Sequence, residues 1–255
     1  MPLTNIKKGK LFLEPVFPSK IELYYTEPEF VNGDRLAIKG EEVKHISSVM
    51  RHNPGDILFV TDGTGHLFET EIQEITKKEI TALILKKSFY EKELPGIVFC
   101  IARLKNADRF EFALEKAIEL GVTDFMIYDS ENSVAKGDKS ERWNKIALAA
   151  MKQSLRFYLP KIIYLKSLFK LPEELKPVLF EQEFREEFFD FVRNKRENIF
   201  SGNEKYCFIF GPEGGLSAEE QNFNSNAIKV SLTKNRLRSE TAIITAAGIL
   251  AAGRL

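Results

Sequence analysis

The sequence predicts an α/β protein in two parts, a small β-barrel over residues 1–90 and a larger α/β domain over residues 91–255. Three observations predict this organisation. Short apolar or alternating runs separated by turn residues fill the first part, as is typical of a small barrel. A charged segment ending in Pro95-Gly96 marks the boundary. Beyond it, strand patterns alternate with helix patterns, as expected for a parallel sheet with helices on both faces.

Length and composition allow a folded core but leave the function open. The chain has 255 residues, 44% of them hydrophobic, and its 37 basic residues balance 37 acidic ones. This balance argues against indiscriminate nucleic-acid binding, which depends on excess positive charge, but it permits a local basic face. No apolar run is long enough to span a membrane, and residues 1–12 lack the apolar stretch of a secretory signal. We therefore expect a cytoplasmic protein.

The cysteines and histidines indicate no metal site. Cys100 and Cys207 both lie in apolar strand-like runs, which favours buried free thiols in a reducing compartment. Zinc sites need more ligands than two distant cysteines and three scattered histidines provide. We therefore expect the protein to hold no metal.

The first part is predicted to contain strands, a hairpin turn and a short helix. The turn is TDGTGH, residues 61–66, in which Gly63 and Gly65 can supply positive φ between two strands. The helix is predicted over residues 41–50. The predicted strands are KIELYY, RLAIKG, DILFVTDG, HLFETEIQEI and ITALILKKSF.

In the second part, the first helix has the clearest boundaries. The segment ADRFEFALEKAIELG places its apolar residues on one face, with Asp108 as the predicted N-cap, Glu111 at the capping-box position and Gly121 as the stop. Further helices are predicted over residues 140–156 and 183–195, and from Ser217 and Ser239. The predicted strands are GIVFCIAR, TDFMIYDS, PVLFEQ, KYCFIF and AIKVSL.

A glycine-rich loop, GPEGG at residues 211–215, ends one of these strands, and Ser217 and Glu220 then form a capping-box pattern. Open α/β sheets bind ligands at the carboxyl ends of their strands, and glycine lets a ligand approach the backbone closely. Taken alone, such a loop is more often a tight turn without a ligand. The loop is neither a G-x-G-x-x-G motif nor a Walker loop, so the pattern gives little support for binding of nucleotide phosphates.

A basic loop follows the last predicted strand. Lys234, Arg236 and Arg238 stand close together before Ser239, the predicted N-cap of a helix made of small and apolar residues. A helix of this composition is buried tightly, so the loop at its head is held in place. The basic residues alone are equally consistent with a solvated loop. Because the two strands are predicted to be neighbours, we expect their two loops to form one crevice.

The loop motifs FGPEGGLSAEE and LTKNRLRSETA closely resemble those of the RsmE-type 16S ribosomal RNA uridine N3-methyltransferases, of the SPOUT class. KNADRFEFALEKAIELGV, SERWNKIALAAMKQS and HISSVMRHNPGD resemble further segments of that family in the same order. The resemblance therefore covers nearly the whole chain. One departure is Thr233, where the family commonly has glycine, and this change could reposition the loop.

The resemblance implies an N-terminal PUA-like barrel and a C-terminal α/β domain tied in a trefoil knot. It also implies S-adenosylmethionine as cofactor, a uridine of 16S rRNA in the small ribosomal subunit as substrate, and a homodimer. The helix over residues 241–252 could lie in the dimer interface, although burial within its own chain explains its composition equally well. The cofactor residues implied are Leu179, Phe180, Glu181, Phe210, Gly211, Gly214, Gly215, Leu232, Leu237, Ser239, Thr241 and Ala242.

Methylation of uracil N3 requires a site that accepts the N3 proton and stabilises the resulting anion. Arg238 is expected to stabilise charge on the uracil oxygens, because its guanidinium stays ionised. Glu240 is a candidate base, directly or through water, with capping of the first helical turn as the alternative. For any single basic residue a solvated surface charge is the more common role. The candidate RNA contacts are Arg51, His52, Arg103, Lys105, Arg109, Lys152, Gln153, Arg156 and Arg236.

Two other functions fit these patterns. One is a ribosome-assembly factor that keeps the fold without the chemistry, for which Thr233 is the only support. The other is a SPOUT enzyme that acts on transfer RNA, against which the barrel motif HISSVMR argues. Binding of S-adenosylmethionine separates the enzymes from the assembly factor.

Overall fold

Two six-stranded sheets follow one another along the chain. The computed structural model describes residues 21–181, 184 and 186–254, so the expectation for residues 1–12 and part of the predicted helix over 183–195 lie outside the described residues. The strands are β1 (Leu23–Tyr25), β2 (Val31–Asn32), β3 (Arg35–Lys39), β4 (Ile57–Thr61), β5 (His66–Ile75), β6 (Glu79–Phe89), β7 (Ile97–Ala102), β8 (Asp124–Tyr128), β9 (Lys161–Leu165), β10 (Lys176–Phe180), β11 (Tyr206–Phe210) and β12 (Ile228–Val230). The α-helices are α1 (Glu41–Lys44), α2 (Ala107–Glu119), α3 (Ser140–Gln153), α4 (Phe188–Asn194), α5 (Arg196–Phe200), α6 (Ala218–Gln221) and α7 (Ser239–Arg254).

The first sheet has the strand order β1-β4-β5-β6-β3-β2. Strand β1 is parallel to β4, and the other pairs are antiparallel. Alternation along the strands buries Leu36 and Ile38 of β3 in one core with Phe68 of β5. Since β1 and β2 stand at the two ends of this order, closure of the sheet into a barrel stays a prediction.

The predicted helix over residues 41–50 forms with a change of pitch. Helix α1 runs directly into one turn of π-helix, His45–Val49. Arg51 follows with a φ of 58°, a left-handed conformation that is uncommon for arginine. Single π turns in a helix often mark functional positions.

The second sheet has the strand order β12-β10-β11-β7-β8-β9, and all its pairs are parallel. Strands β7 and β11 are neighbours at its centre, and every residue in both is buried. Burial from both faces explains why these strands read as continuous apolar runs. The segment KIIYL was not predicted as a strand, but it forms β9 at the edge of the sheet, where it is only partly buried.

The longer helices lie on one face of the second sheet. Residues of α2, α3, α4, α5 and α7 share a single core with the side chains of that face. The other face packs against Leu168 of a one-turn 3-10 helix and against Leu216 and Phe223, which flank the single-turn α6. The expected cover of helices on both faces is thus reduced to short turns on one of them. Cys100 and Cys207 are buried free thiols on this second face, as predicted.

Helix α2 begins earlier than predicted. The side-chain oxygen of Asn106 accepts a hydrogen bond from the Arg109 amide at 3.0 Å, so Asn106 is the N-cap and the assignment of Asp108 was wrong. Glu111 consequently lies too far along the helix to complete a capping box. Gly121, with a φ of 99°, ends the helix as predicted.

The predicted hairpin at residues 61–66 joins β4 to β5 and also contacts the second part of the chain. The Gly65 amide donates to Phe157 O at 2.8 Å, and the Leu159 amide donates to Gly63 O at 2.9 Å. A Cβ on Gly65 would lie 2.5 Å from the Tyr158 hydroxyl oxygen. The glycines therefore permit the close approach of the hairpin to residues 157–159 as well as the turn.

Candidate active site

The glycine-rich loop lies at the carboxyl end of β11, in the middle of the second sheet. It ends at the predicted capping box, in which Ser217 Oγ accepts from the Glu220 amide at 3.1 Å and Glu220 Oε2 accepts from the Ser217 amide at 3.0 Å. Gly215 has a φ of 76°, and its amide donates to Pro212 O at 2.9 Å. The loop is therefore a defined turn that leads directly into α6.

A cavity of about 950 Å³ lies between this loop, the end of β10 and the loop that leads into α7. The predicted convergence of residues 211–215 with the segment beginning at Leu237 is confirmed, because both line the same cavity, but β11 and β12 are not neighbours as predicted, since β10 lies between them. The lining residues are Arg109, Leu179, Phe180, Glu181, Ile209, Phe210, Gly211, Pro212, Glu213, Gly215, Leu216, Gln221, Arg236, Leu237, Arg238, Ser239, Glu240 and Ala242.

Three of the residues expected to contact a cofactor do not line the cavity. Leu232 packs against the core on the helical face, Thr241 is exposed on α7, and Gly214 lies where a Cβ would be 3.3 Å from Asn132 Cβ. Glu213 and Gln221 line the cavity but were not predicted as site residues. Both belong to the loop and helix that the sequence had singled out, so the motif itself was the available signal.

Aromatic side chains form the apolar wall of the cavity. The rings of Phe180 and Phe210 stack with centroids 5.1 Å apart and an interplanar angle of 26°. Phe210 is the last residue of β11, and its carbonyl accepts from the buried Tyr128 hydroxyl at 3.3 Å. Burial raises the pKa of Tyr128 well above its usual value, so the phenol stays a neutral donor. The end of β11 is thus fixed where it meets the cavity.

Charged side chains also line the cavity. Glu240 Oε1 is 3.7 Å from Arg109 Nη1, whereas its Oε2 is buried and has no hydrogen-bond partner among the described residues. The guanidinium of Arg238 has no ion-pair or hydrogen-bond partner among the residues that the structure describes. The cavity therefore offers two guanidinium groups, those of Arg236 and Arg238, that have no ion-pair or hydrogen-bond partner among the described residues, and the Glu240 carboxylate lies beside them in the lining.

Helix α7 begins at the cavity with Ser239. The amide of Ala242 donates to Arg238 O at 2.9 Å, so Arg238 occupies the N-cap position and the prediction for Ser239 was wrong by one residue. Glu240 lies in the first turn, where the helix dipole favours a negative charge. The capping alternative for Glu240 and the base role both remain compatible with this position.

Thr233 is accommodated without strain in the loop before α7. Its hydroxyl donates to Asn235 O at 2.6 Å. Arg51 and Leu155 have a positive φ, but Thr233 does not. Glycine is required where φ is left-handed, which does not apply to this position. The threonine therefore adds a hydrogen bond within the loop.

The predicted RNA contacts fall into two groups. Arg103 is buried, lies 5.1 Å from the Trp143 ring and donates to Gly137 O, so the prediction that it contacts phosphate does not fit its position. Three others are partly buried and contact carboxylates: Arg156 Nη1 is 2.6 Å from Glu93 Oε2, His52 Nδ1 is 3.2 Å from Asp56 Oδ2, and Lys152 pairs with Glu42. The remaining candidates are exposed, although one of them, Arg109, also lies near Glu240, and they are Arg51, Lys105, Arg109, Gln153 and Arg236.

A second cavity of about 1060 Å³ lies between α3 and the first sheet. Lysines and aromatic side chains line it, including Phe30 and Lys39, whose Nζ is 3.9 Å from the Phe30 ring centroid.

Among the described residues, no group of three or more histidine, cysteine, aspartate or glutamate side chains is placed to hold a metal ion. No helix within residues 21–181, 184 and 186–254 is both long enough and apolar enough to cross a membrane.

Comparison with known proteins identifies several relatives. Among curated proteins, the ribosomal RNA small subunit methyltransferase E of Bacillus subtilis is 29% identical over 230 residues, which cover 85% of this chain and 90% of that protein. The protein of the same name from Aquifex aeolicus is 29% identical over 238 residues, covering 90% and 99%.

Solved structures of the same kind superpose over nearly the whole chain. The ribosomal RNA small subunit methyltransferase E from Neisseria gonorrhoeae, bound to S-adenosyl methionine, has a TM-score of 0.74 at 26% identity and covers 89% of this chain and 95% of that one. A methyltransferase from Legionella pneumophila in complex with the same cofactor has a TM-score of 0.76 at 27% identity, covering 91% and 98%.

Family models match both parts of the chain. A model of the RNA methyltransferase PUA domain matches residues 38–85, which include most of the first sheet. A model of the RNA methyltransferase domain matches residues 91–251, which include the second sheet and every residue that lines the cavity. Since this second match spans more than half of the sequence, the chain belongs to the RNA methyltransferase family.

Proposed function

We propose that this protein transfers a methyl group from S-adenosylmethionine to N3 of a uridine in 16S rRNA of the small ribosomal subunit. The observation that carries the proposal is the cavity of about 950 Å³ that the ends of β10 and β11 form together with the loop before α7. The named relatives are small-subunit ribosomal RNA methyltransferases, and two similar structures contain the cofactor. We place the activity in the cytoplasm, where ribosomal RNA is assembled in bacteria.

The residues present fit the cofactor. The cavity has room for a nucleoside, the stacked Phe180 and Phe210 offer an apolar wall, and no atom lies within 4 Å of a Cβ built on Gly215. When bound, the cofactor supplies an electrophilic methyl group. Backbone groups of residues 211–215 are proposed to hydrogen-bond it, apart from those of Gly215, whose amide and carbonyl already bond to Pro212 O and Asn132 Nδ2. The residues proposed to hold it are Leu179, Phe180, Glu181, Phe210, Gly211, Gly215, Leu237, Ser239 and Ala242.

Arg238 and Glu240 are proposed to act on the uracil. The N3 nitrogen is a poor nucleophile until its proton leaves, and the anion then carries charge on the neighbouring oxygens. The guanidinium of Arg238 can donate to these oxygens, and the Glu240 carboxylate is proposed to accept the proton directly or through water.

The RNA is proposed to approach over the rim of this cavity. Lys105, Arg109 and Arg236 lie at or beside the rim, while Arg51 and His52 lie in the loop between the π turn and β4. Phosphate contacts of this kind fix the position of the RNA and carry no sequence readout. The hydrogen bonds between the hairpin and residues 157–159 would keep these two groups of basic residues in one relative orientation.

A homodimer is proposed from the helical face of the second sheet. Phe112 of α2 and Phe189 of α4 are more than half exposed, and both helices pack beside α7. Exposed aromatic side chains of this size are common in protein interfaces. The buried residues of α7 pack into their own chain, so its composition by itself is accounted for there. The trefoil knot and the domain limits at residues 1–90 and 91–255 stay predictions.

The test uses small ribosomal subunits from a strain that lacks this protein, together with purified protein and radiolabelled S-adenosylmethionine. We expect label in the 16S rRNA and a new reverse-transcription stop, because methylation of N3 blocks base pairing. Free transfer RNA and naked 16S rRNA serve as competing substrates. Label in transfer RNA would favour the alternative enzyme, and absence of cofactor binding would favour an assembly factor.

A further inference from the structure

A buried carboxylate lies just behind the glycine-rich loop, outside the cavity. Glu220 is 1% exposed, and its Oε2 accepts from the Ser217 amide at 3.0 Å and from Ser130 Oγ at 2.7 Å. Its Oε1 accepts from the Glu131 amide at 3.1 Å. No cation lies within ion-pair distance of Glu220 among the described residues. Burial of a charge without a counterion is costly, so these hydrogen bonds are what keep the carboxylate in place.

These contacts exceed what capping of α6 requires. A capping box needs only the reciprocal bonds between Ser217 and Glu220, which an exposed glutamate can make. The two further donors, Ser130 and Glu131, come from the loop over residues 129–139, which joins β8 to α3. Glu220 therefore ties that loop to the start of α6.

The loop over residues 129–139 is itself firmly held. The Asp129 carboxylate accepts from the Gly137 amide at 3.0 and 3.1 Å, which closes the loop on itself. Ser133 Oγ donates to Arg103 O at 2.8 Å, which anchors the loop to the end of β7. Such a loop can serve as a fixed support for a neighbouring segment.

The same loop touches residues 211–215 directly. Asn132 Nδ2 donates to Gly215 O at 3.1 Å. At a second point, the Glu213 carboxylate accepts from the Lys105 amide at 3.1 and 3.2 Å. The glycine-rich loop is thus supported by two neighbouring loops, and Glu220 joins one of them, residues 129–139, to its end.

We propose that Glu220 is a positioning residue, which holds residues 211–215 in the shape that receives the cofactor by tying them to the loop over residues 129–139. The inference rests on the proposed function, since it requires that the cavity bind S-adenosylmethionine. Glu220 does not line the cavity and acts only through the loop. A binding loop that is already held in its bound shape loses less conformational freedom when the ligand binds.

The test is Glu220→Gln, with cofactor affinity measured by calorimetry. Glutamine has one acceptor oxygen and a donor amide, so one of the three donors would face an N–H group. We expect the Kd and the KM for S-adenosylmethionine to rise about tenfold, with the KM for small ribosomal subunits changed less than roughly twofold. The matched control is Glu219→Gln, which makes the same charge change at an exposed neighbour on α6 and should leave all three constants unchanged.

Ser130→Ala is a second variant, which removes a single donor without replacing the carboxylate. We expect it to raise the Kd about threefold, and it decides the question if Glu220→Gln does not fold. If the folded variants bind the cofactor within roughly twofold of the parent protein, the role of Glu220 is overturned, and the proposed function is unaffected. An equal loss of cofactor and RNA affinity would also overturn it, because that result indicates a general structural role. A parent protein that binds no cofactor would overturn the proposed function as well.

Discussion

The hairpin at residues 61–66 and the loop at residues 211–215 are both glycine-containing turns, but their glycines face different surroundings. In the hairpin, a Cβ on Gly65 would lie 2.5 Å from the Tyr158 hydroxyl oxygen. In the loop, a Cβ on Gly215 would meet no atom within 4 Å, and Gly215 lines the cavity. Both glycines have positive φ, 100° and 76°. The backbone requirement is shared, and only what occupies the space of the missing side chain differs.

This difference separates glycines that allow protein to pack against protein from glycines that leave room for a ligand. Substitutions in the hairpin should act on stability, whereas substitutions in the loop should act on cofactor affinity. The same distinction applies to the arginines, because Arg156 faces acidic protein groups and Arg238 faces the cavity.

The largest effect on stability is expected from Gly65→Ala. A left-handed conformation costs a non-glycine residue about 1 to 2 kcal/mol, and the collision with Tyr158 adds about 1 to 3 kcal/mol. Urea denaturation should therefore show a loss of about 2 to 5 kcal/mol in the free energy of unfolding. The control is Gly55→Ala, which has a φ of 94° and no atom within 4 Å of the new Cβ. Equal losses in the two variants would break the comparison.

Arg238→Ala should act on turnover with little effect on folding. Loss of a preorganised donor to a developing anion typically lowers kcat by about a hundredfold or more. Cofactor Kd should stay within roughly threefold, because the guanidinium is proposed to contact the uracil. Single-turnover methylation of small subunits provides the measurement, and Arg35→Ala, an exposed arginine on β3, is the control. Normal turnover in Arg238→Ala would refute the assigned role.

Gly215→Leu should weaken cofactor binding about tenfold, because the new side chain occupies the cavity. Its stability should fall by only about 1 to 2 kcal/mol, which is the backbone cost of positive φ. Gly33→Leu has a φ of 61° and open space around its Cβ, so it carries the same backbone cost far from the cavity. Calorimetry and denaturation on both variants check the prediction, which fails if Gly215→Leu binds the cofactor normally.

The smallest effect is expected from Arg236→Ala, at the exposed rim of the cavity. Affinity for small ribosomal subunits should fall about threefold, and the slope of log affinity against log salt should become shallower by about 1. Arg156→Ala is the contrasting variant, since Arg156 also donates to Glu119 O at 2.7 Å. It should lower stability and leave the RNA affinity unchanged. Unchanged RNA affinity in Arg236→Ala, or reduced RNA affinity with unchanged stability in Arg156→Ala, would contradict the distinction between the two arginines.

Local patterns predicted most of the elements of the fold. The apolar run of β11, the capping box at Ser217 and the glycine stop at Gly121 all depend on residues close together in sequence, and the structure has all three. The N-cap of α2 was misplaced because Asn106 and Asp108 are both good cap residues. The point at which the chain leaves β7 decides that Asn106 takes this position. The side of the sheet that each helix covers depends on the direction of its crossover in the strand order, which local periodicity does not contain.

The candidate site was predicted in part for the same reason. Leu179, Phe210 and Arg238 were expected at one cavity and line it, because each follows or ends a strand of one parallel sheet. Gly214 and Leu232 were expected there and do not line it, because single-residue orientation in a loop is set by the neighbouring loops. Glu213 was missed, although it belongs to the motif, because its contact with the Lys105 amide is made across 108 residues of chain.

The sequence by itself determined where strands, helices and tight turns form, and it placed glycines and charges at the carboxyl edge of a parallel sheet. Only the tertiary structure decided that Gly65 meets Tyr158, that Arg103 is buried beside Trp143, and that Arg109 reaches Glu240. The physical reason is that turn and helix signals act over a few residues, whereas these contacts join residues far apart in the chain. Whether a glycine or an arginine faces protein or open space is therefore fixed by packing, and local propensity does not specify it.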